Sequence, residues 1–252
     1  MKRIAFVELS HIFSNQIKLP YSTGCIWSYC RTDDEITNNY SFDVHDWVYV
    51  LNDSFDVDKT AQHLAECDIV GISYFVWNTH ACDKVCAKIK KINPKCIIIY
   101  GGLGTPKYGR CDQFLKDRPF IDMIVHNEGE IVFKNILKAL LYKQDLRDIK
   151  GITTHLFQTP LDGRVKDMSS MPSPYLDGLF DDLIAIKKHT YAWESLIELE
   201  RGCPYTCTFC EVGDRHWTKI FKQDYNKLVK EIDWISNKKI DYLHLIDNNF
   251  GM

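Results

Sequence analysis

Residues 69–100 begin with the apolar run Ile69-Val70-Gly71-Ile72-Ser73-Tyr74 and end with a second run of the same kind, Cys96-Ile97-Ile98-Ile99-Tyr100. Both runs are short and rich in β-branched residues, which is typical of the central strands of a parallel sheet. Between them, apolar residues recur at helical spacing from Thr79 to Lys91. A strand, a helix and a second strand in this order predict one parallel βαβ unit.

The same alternation continues on both sides of this unit. The predicted segments are the strands Arg3 to Leu9, Ile121 to Val125 and, at an edge, Trp47 to Leu51, and the helices Lys59 to Glu66 and Ile131 to Tyr142. Asp56 or Asp58 could cap the first of these helices. Residues 1–150 are therefore predicted to form an α/β domain with a doubly wound, Rossmann-like parallel sheet.

The composition is that of a globular protein, with 252 residues of which 45% are hydrophobic and 26% are charged. A net charge of −3 gives no basic footprint for nucleic acid or for an anionic membrane. No stretch approaches the roughly 20 apolar residues of a membrane span, and the apolar run after Met1 is shorter than the about 7–15 residues of a signal peptide. We therefore expect a cytoplasmic protein whose ten cysteines are not paired in disulfides.

The loops after two of the predicted strands have an unusual composition. Gly101-Gly102-Leu103-Gly104-Thr105-Pro106 follows one strand, and His126-Asn127-Glu128-Gly129-Glu130 follows another. Ligands of such sheets bind beyond the carboxyl ends of the strands, and glycines let a backbone come close to a ligand. Ordinary turns are the alternative, because neither loop has the spacing of a dinucleotide or nucleotide-phosphate motif.

Residues 151–190 show a looser pattern. A small hairpin is predicted from Gly151 to Phe157 with Val165. The segment Met168 to Tyr175 is punctuated by two prolines and is typical of an extended connector between domains. The sequence thus predicts a domain at 1–150, a hairpin and connector at 151–190, and a further domain at 191–252.

Three cysteines lie at CxxxCxxC spacing in the segment Glu200-Arg201-Gly202-Cys203-Pro204-Tyr205-Thr206-Cys207-Thr208-Phe209-Cys210, after the strand-like run Ser195 to Leu199. Gly202 and Pro204 exclude a regular helix or strand through this loop. A 4Fe–4S cluster has four irons that each need an external ligand, usually a thiolate. Three cysteines can hold three irons and leave the fourth open, which a metal centre needs if it is to bind a substrate.

A zinc site and a group of packed core thiols are the alternatives to a cluster at this motif. A zinc site would need a further ligand, and the nearby candidate, His216, has a poor spacing. Three packed thiols on a loop with glycine and proline would be unusual core packing. The remaining cysteines are expected to be small buried hydrophobic residues; they are Cys25, Cys30, Cys67, Cys82, Cys86, Cys96 and Cys111.

The CxxxCxxC motif after a strand resembles the radical S-adenosyl-L-methionine (SAM) superfamily. The upstream domain resembles the cobalamin-binding domain of its cobalamin-dependent branch. The segments that carry this second resemblance are Lys18 to Gly24, Gly71 to Asn78, Gly101-Gly102, His126 to Glu130 and Pro172 to Tyr175. The resemblance spans essentially the whole chain. It implies a cobalamin-binding Rossmann-like domain followed by the first strand–helix units of an incomplete radical SAM (βα) barrel.

The resemblance also implies three sets of site residues. Cys203, Cys207 and Cys210 would hold the 4Fe–4S cluster. Phe209, Asp247 and Asn248 would contact SAM, although the Gly-Gly-Glu run that is usual after this strand is replaced here, and a polar turn is the alternative for the last two residues. Cobalamin would lie, base-off and without a histidine ligand, against loops around Tyr21, Ser73, Trp77, Gly101, Gly102, Glu128 and Gly129, since no DxHxxG motif is present.

The implied function is that of a radical SAM enzyme. It would cleave SAM reductively to a 5′-deoxyadenosyl radical, most commonly for methyl transfer from cobalamin to an unactivated carbon of an unidentified small molecule or peptide. An external electron donor would supply the electron.

The chain is short for that reaction. Residues 211–252 show one helical pattern and one strand, whereas a radical SAM barrel usually has about six strand–helix units, and one βαβ unit takes roughly 30 residues. We therefore expect an incomplete enzyme: a fragment, a truncated product, or one subunit of a split enzyme whose second chain supplies the rest of the barrel. The alternative is a non-catalytic cobalamin-binding module with a cluster-binding stub.

Overall fold

The structure is a computed structural model that describes residues 1–186, 191–210, 212–213 and 215–251. The chain divides into two compact units. Unit 1 comprises Met1–Ile12 and Tyr29–Asp162, and unit 2 comprises Phe13–Ser28 and Gly163–Met252. The division therefore falls near residue 162 and moves a short early segment into unit 2, whereas the sequence-based boundaries lie at residues 150 and 190.

The described residues form eleven strands and eight α-helices. The strands are β1 (Lys2–His11), β2 (Gln16–Lys18), β3 (Tyr40–Leu51), β4 (Ile69–Ser73), β5 (Ile97–Gly101), β6 (Met123–Val125), β7 (Ile152–Thr153), β8 (Ala192–Ile197), β9 (Glu200–Arg201), β10 (Phe221–Lys222) and β11 (Tyr242–Leu245). The α-helices are α1 (Tyr21–Cys30), α2 (Asp34–Asn39), α3 (Val57–Leu64), α4 (Thr79–Ile92), α5 (Asp112–Lys116), α6 (Gly129–Tyr142), α7 (Leu179–Ile186) and α8 (Tyr225–Asn237). Every strand and helix that the sequence predicts within residues 1–150 is present, with shifted ends.

Unit 1 is built on a six-stranded sheet with the order β3–β1–β4–β5–β6–β7. The strands from β3 to β6 are parallel, with Ile69 of β4 opposite Ile97 of β5, whereas β7 is antiparallel to β6. β3 lies at the edge, as predicted. Within residues 1–150 the strands are therefore parallel, as predicted. The antiparallel β7 comes from the segment predicted as a hairpin and makes the complete sheet mixed.

The predicted hairpin after β7 is present in a shorter form. Thr153 forms a β-bridge with Gln158, and Gly151 donates a backbone hydrogen bond to the carbonyl of Pro160. The returning arm is therefore formed by residues 158–160 rather than by Val165.

Helices cover both faces of the six-stranded sheet. Ala5 and Val7 of β1 belong to a buried apolar cluster that includes residues of α3 and α4. On the other face, Phe6 packs against Phe133 of α6, with ring centroids 5.5 Å apart. Successive side chains of β1 thus serve the two faces in turn, as a strand buried on both sides requires.

Most cysteines outside the motif have a packing role, as expected. Among them, Cys25 is half-buried and the other six are buried. Burial raises the pKa of Cys67, Cys86 and Cys96 to about 12. These thiols stay protonated at neutral pH and are poor metal ligands.

Unit 2 contains a three-stranded parallel sheet with the order β11–β8–β2. Trp193 of β8 lies opposite Ile17 of β2, and Ser195 lies opposite Leu243 of β11. β9 and β10 form a separate antiparallel ladder of two residues each. The pairing of β2 with β8, which the sequence did not predict, explains why residues 13–28 belong to unit 2.

The proline-rich segment predicted as a connector contributes to the core of unit 2. The side chain of Tyr175 is fully buried, and its ring lies 4.9 Å from that of Phe180 and 5.1 Å from that of Trp234. The segment continues into α7, which the sequence did not predict. Within the described residues, every helix is either too short or too polar to cross a membrane.

Candidate functional site

The motif cysteines lie on an irregular loop between β9 and β10, here called the cysteine loop (residues 202–220). Cys203 and Cys210 are half-buried and Cys207 is exposed. Gly202 has φ +126°, a conformation that favours glycine, and a side chain there would run into the carbonyl of Lys219. The ordinary alternative of three packed core thiols does not describe this loop, because none of its thiols is buried.

Backbone hydrogen bonds shape the cysteine loop around the thiols. Cys210 donates to the carbonyl of Cys207 at 3.1 Å, Gly213 donates to that of Cys210 at 3.1 Å, and Cys203 donates to that of Trp217 at 2.8 Å. Among the described residues, no three histidine, cysteine or acidic side chains are grouped closely enough to hold a metal ion. The donor set of three accessible thiols fits an iron–sulfur cluster, but the structure does not assemble those thiols around a common point.

Arg164 holds both arms of the cysteine loop, a role that the sequence did not predict. Its guanidinium donates to the carbonyl of Arg201 at 2.9 Å on one arm, and to those of His216 at 3.3 Å and Lys219 at 3.1 Å on the other. The same group lies over the ring of Trp217, 4.4 Å from its centroid. Nothing in the sequence near Arg164 points to these partners, which follow it by 37 to 55 residues.

Asp247 and Asn248 follow β11, as the sequence indicates, but the two side chains differ in placement. Asp247 Oδ1 accepts backbone hydrogen bonds from Leu199 at 2.7 Å and Glu200 at 3.2 Å. Its Oδ2 is buried without a hydrogen-bond partner among the described residues, whereas Asn248 is exposed. Phe209 is 90% exposed on the cysteine loop. Contact of these three residues with SAM stays a prediction.

In unit 1, the candidate cobalamin residues collect where parallel strands end. We call the loops after β4, β5 and β6 (residues 74–78, 102–106 and 126–128) the carboxyl edge. Ser73 ends β4 and is buried, and Gly101 ends β5. Trp77 is 50% exposed, and its indole N–H donates to the carbonyl of Leu9 at 3.2 Å. Neighbouring Val76 and Leu103 are 81% and 57% exposed. The carboxyl edge thus presents an apolar surface.

The glycines of the carboxyl edge are needed for contact between two loops. Gly102 has φ +99°, and a Cβ there would lie 2.8 Å from the carbonyl oxygen of Tyr74. A Cβ on Gly104 would lie 2.9 Å from Cα of Phe75. The close approach that the glycine content suggested is therefore an approach of the β5 loop to the β4 loop.

The polar residues of the loop after β6 differ in their surroundings. His126 is buried, with Nε2 at 2.8 Å from Thr153 Oγ1, and burial lowers its pKa to about 4. Asn127 adopts φ +61°, after which Glu128 precedes α6 and Gly129 begins it. His126 is therefore turned away from solvent.

Tyr21, the remaining cobalamin candidate, lies in unit 2 at the start of α1. It is buried, its ring lies 6.0 Å from that of Tyr175, and burial raises its pKa well above the usual value. The other six candidates lie in unit 1. The role of all seven in cobalamin binding stays a prediction.

Sequence comparison places the chain among known proteins. No model of a protein family matches it. Over 240 residues it is 29% identical to the cobalamin-dependent radical SAM methyltransferase TokK of Streptomyces tokunonensis, an alignment that covers 93% of this chain and 34% of TokK. This chain is homologous to cobalamin-dependent radical SAM enzymes. It is also 28% identical over 240 residues to the 2-(S-pantetheinyl)-carbapenam-3-carboxylate methyltransferase of Streptantibioticus cattleyicolor, with 93% of this chain and 34% of that enzyme covered.

Two solved structures of radical SAM enzymes share the fold of this chain. OxsB matches with a TM-score of 0.72 at 21% identity, covering 99% of this chain and 34% of OxsB. TsrM of Kitasatospora setae, solved with cobalamin and a [4Fe-4S] cluster, matches with a TM-score of 0.69 at 13% identity, covering 99% of this chain and 48% of TsrM. In the sequence alignments above, the chain spans about a third of the length of TokK and of the carbapenam methyltransferase.

Proposed function

We propose that this chain is the cobalamin- and cluster-binding part of a cobalamin-dependent radical SAM enzyme that transfers a methyl group to an unactivated carbon. One observation carries the proposal: three accessible thiols at CxxxCxxC spacing follow the central strand of a parallel sheet, within a chain homologous to TokK over 93% of its length. With cluster, SAM and cobalamin bound, the site would supply reductive cleavage of SAM and a transferable methyl group.

Each motif residue has a role in this proposal. The thiolates of Cys203, Cys207 and Cys210 would bind three irons and leave one iron open for SAM. The exposed ring of Phe209 offers an apolar face for the adenine. Asp247 and Asn248 would offer oxygen atoms to the methionyl amine.

The carboxyl edge of unit 1 suits a large flat ligand such as a corrin. Its exposed Val76, Trp77 and Leu103 provide apolar area, and ligands of parallel α/β sheets bind at this end of the strands. His126 is buried and neutral, so it would not serve as a ligand to the cobalt of a bound cobalamin. In this proposal unit 1 is the doubly wound, Rossmann-like cobalamin domain.

Unit 2 would be the beginning of a radical SAM barrel. β8, α8 and β11 form one parallel strand–helix–strand step, and Leu243 and Leu245 on β11 are 41% and 42% exposed. Further strands, from the same polypeptide or from a second chain, would cover them. An external donor would supply the electron, and the substrate would be a small molecule or peptide. We therefore expect the 252-residue chain alone to show no substrate turnover.

Anaerobic iron–sulfur reconstitution tests the cluster. Wild-type protein should become brown and bind about four irons per chain. Cys207→Ser should lose the iron, whereas Cys25→Ala, a change at a half-buried cysteine outside the motif, should keep it. Equal iron in both variants would contradict the proposal.

Two different outcomes would favour the alternatives. Cobalamin retention without iron would indicate a non-catalytic cobalamin-binding module whose motif is a stub. Stoichiometric zinc without iron would indicate a zinc-stabilised scaffold. Substrate turnover by the isolated chain would contradict the expectation that further strands are required.

A further inference from the structure

The cysteine loop is closed at its base by few backbone contacts. Among the described residues, β9 and β10 contribute two residue pairs, Arg201 with Phe221 and Glu200 with Lys222. Two further backbone bonds join the arms, from Gln223 to the carbonyl of Leu199 and from Cys203 to that of Trp217, each at 2.8 Å. A two-stranded ladder by itself is marginally stable in water. The loop therefore needs further restraint if its thiols are to stay in one arrangement.

Arg164 supplies such a restraint from outside the loop. It donates to carbonyls on both arms, those of Arg201, His216 and Lys219, at 2.9 to 3.3 Å. Trp217 and Phe221 lie against its guanidinium, at 4.4 and 5.2 Å from their ring centroids. A planar fork that binds several acceptors and stacks on aromatic rings is specific to arginine, since lysine offers only a point charge.

Asp247 restrains the first arm as a hydrogen-bond acceptor, whereas Arg164 acts as a donor. Its Oδ1 accepts hydrogen bonds from the backbone N–H groups of Leu199 and Glu200, at 2.7 and 3.2 Å. One carboxylate oxygen thus fixes the backbone two and three residues before Gly202. Because the contact uses a single acceptor oxygen, an asparagine could replace it.

We propose that Arg164 and Asp247 are positioning residues that hold the cysteine loop ready for its metal cluster. Arg164 ties the two arms through their carbonyls, and Asp247 fixes the approach to Cys203 through backbone N–H groups. The inference rests on the proposed function for the identity of the metal, but the restraint itself exists in the metal-free chain. Outer partners that orient ligands typically change metal affinity by about 10- to 100-fold.

Hydrogen exchange of the metal-free protein tests the Arg164 restraint. Arg164→Met keeps the apolar stem and removes the donors, so the amides of residues 199–203 and 215–219 should exchange roughly tenfold faster than in wild type. Arg164→Lys should lie between the two. Arg147→Met is the matched control, because Arg147 stacks on Phe157 and pairs with Asp145 in unit 1.

Iron loss to a chelator after reconstitution provides the second measurement. We expect about tenfold faster loss in Arg164→Met than in wild type or Arg147→Met. A folded Arg164→Met with wild-type exchange and wild-type iron retention would overturn the role of Arg164. If that variant does not fold, Arg164→Lys carries the same comparison.

Two substitutions with different expected effects on hydrogen exchange test Asp247. Asp247→Asn keeps an acceptor oxygen and should keep wild-type exchange at residues 199–200, whereas Asp247→Ala should accelerate it severalfold and release iron faster. Equal behaviour of Asp247→Ala and wild type would overturn the role of Asp247. If wild type binds no iron at all, the proposed function fails, while the exchange measurements still decide whether the two residues hold the loop.

Discussion

His126 follows β6 in a loop whose sequence is typical of ligand binding, yet its side chain turns into unit 1. Its Nε2 lies 2.8 Å from Thr153 Oγ1 and 3.9 Å from Cys111 Sγ. Burial lowers its pKa to about 4, so the imidazole is neutral at physiological pH. The partner Thr153 lies 27 residues away in β7, and a contact at that distance has no local sequence signal.

The lowered pKa of His126 should make the stability of unit 1 depend on pH. The folded pKa is about 4, against the usual 6.5, so the unfolded chain binds the proton more readily. Above about pH 6.5 His126 is neutral in both states and does not change the free energy of unfolding. As the pH drops from about 6.5 towards 4, the free energy of unfolding falls by roughly 3 kcal/mol in total. Urea unfolding of wild type between about pH 4 and 7 measures this slope.

The comparison with His126→Gln assigns the slope to this residue. The variant lacks the titrating group, so the part of the pH dependence between pH 4 and 6.5 that comes from His126 should disappear. His80→Gln, at an exposed position on α4, should retain the wild-type slope. The same slope in wild type and His126→Gln would show that another group is responsible.

The cysteine motif shows what a sequence reveals at the residue scale. The ligands Cys203, Cys207 and Cys210 can be proposed because their spacing is a local property of eight residues. The restraint by Arg164 could not be proposed, because it depends on chain segments that only the fold brings together.

At the scale of elements, periodic patterns were sufficient for the longest helices. α4 and α6 each have 14 residues and a clear apolar face, and both were predicted. β2 has three residues, and α1 has neither an acidic residue in its first turn nor a basic residue in its last. These two elements were missed because they lack a period or end signals.

Tyr175 completes the hydrogen bonding of β8 where β2 ends. The register of β2 stops with Lys18 opposite Glu194, and at Leu196 the Tyr175 hydroxyl takes over. It donates to the Leu196 carbonyl at 2.5 Å and accepts from the Leu196 N–H at 3.0 Å. A side chain thus replaces the next strand residue beside the central strand of unit 2.

Removing this hydroxyl should weaken unit 2. Tyr175→Phe keeps the buried ring but leaves two backbone groups of Leu196 without that partner, so we expect a loss of about 1–3 kcal/mol in the free energy of unfolding. Denaturant unfolding followed by the fluorescence of Trp234, which contacts Tyr175, measures it. Tyr205→Phe on the exposed loop should change stability by less than about 0.5 kcal/mol. Equal stability of the two variants would contradict this assignment.

At the scale of the whole molecule, the two candidate sites belong to different units. Six of the seven candidate cobalamin residues lie in unit 1, and the motif cysteines, Phe209 and Asp247 lie in unit 2. The sequence indicated both sites but not the pairing of residues 16–18 with 192–194, which brings the beginning of the chain into unit 2. Pairing between strands so far apart leaves no pattern in a local window, and so the unit boundary could not be predicted.

Because the sites belong to different units, the two cofactors should load independently. A variant with serine at Cys203, Cys207 and Cys210 should lose iron and keep cobalamin. Gly102→Ala should do the reverse, since a Cβ at φ +99° would lie 2.8 Å from the Tyr74 carbonyl oxygen and push the β4 and β5 loops apart. Gly109→Ala is the control, because its φ of +79° carries the same backbone cost in open space. Iron and cobalamin are assayed on one gel-filtered sample, and loss of both cofactors in either variant would mean that the sites depend on each other.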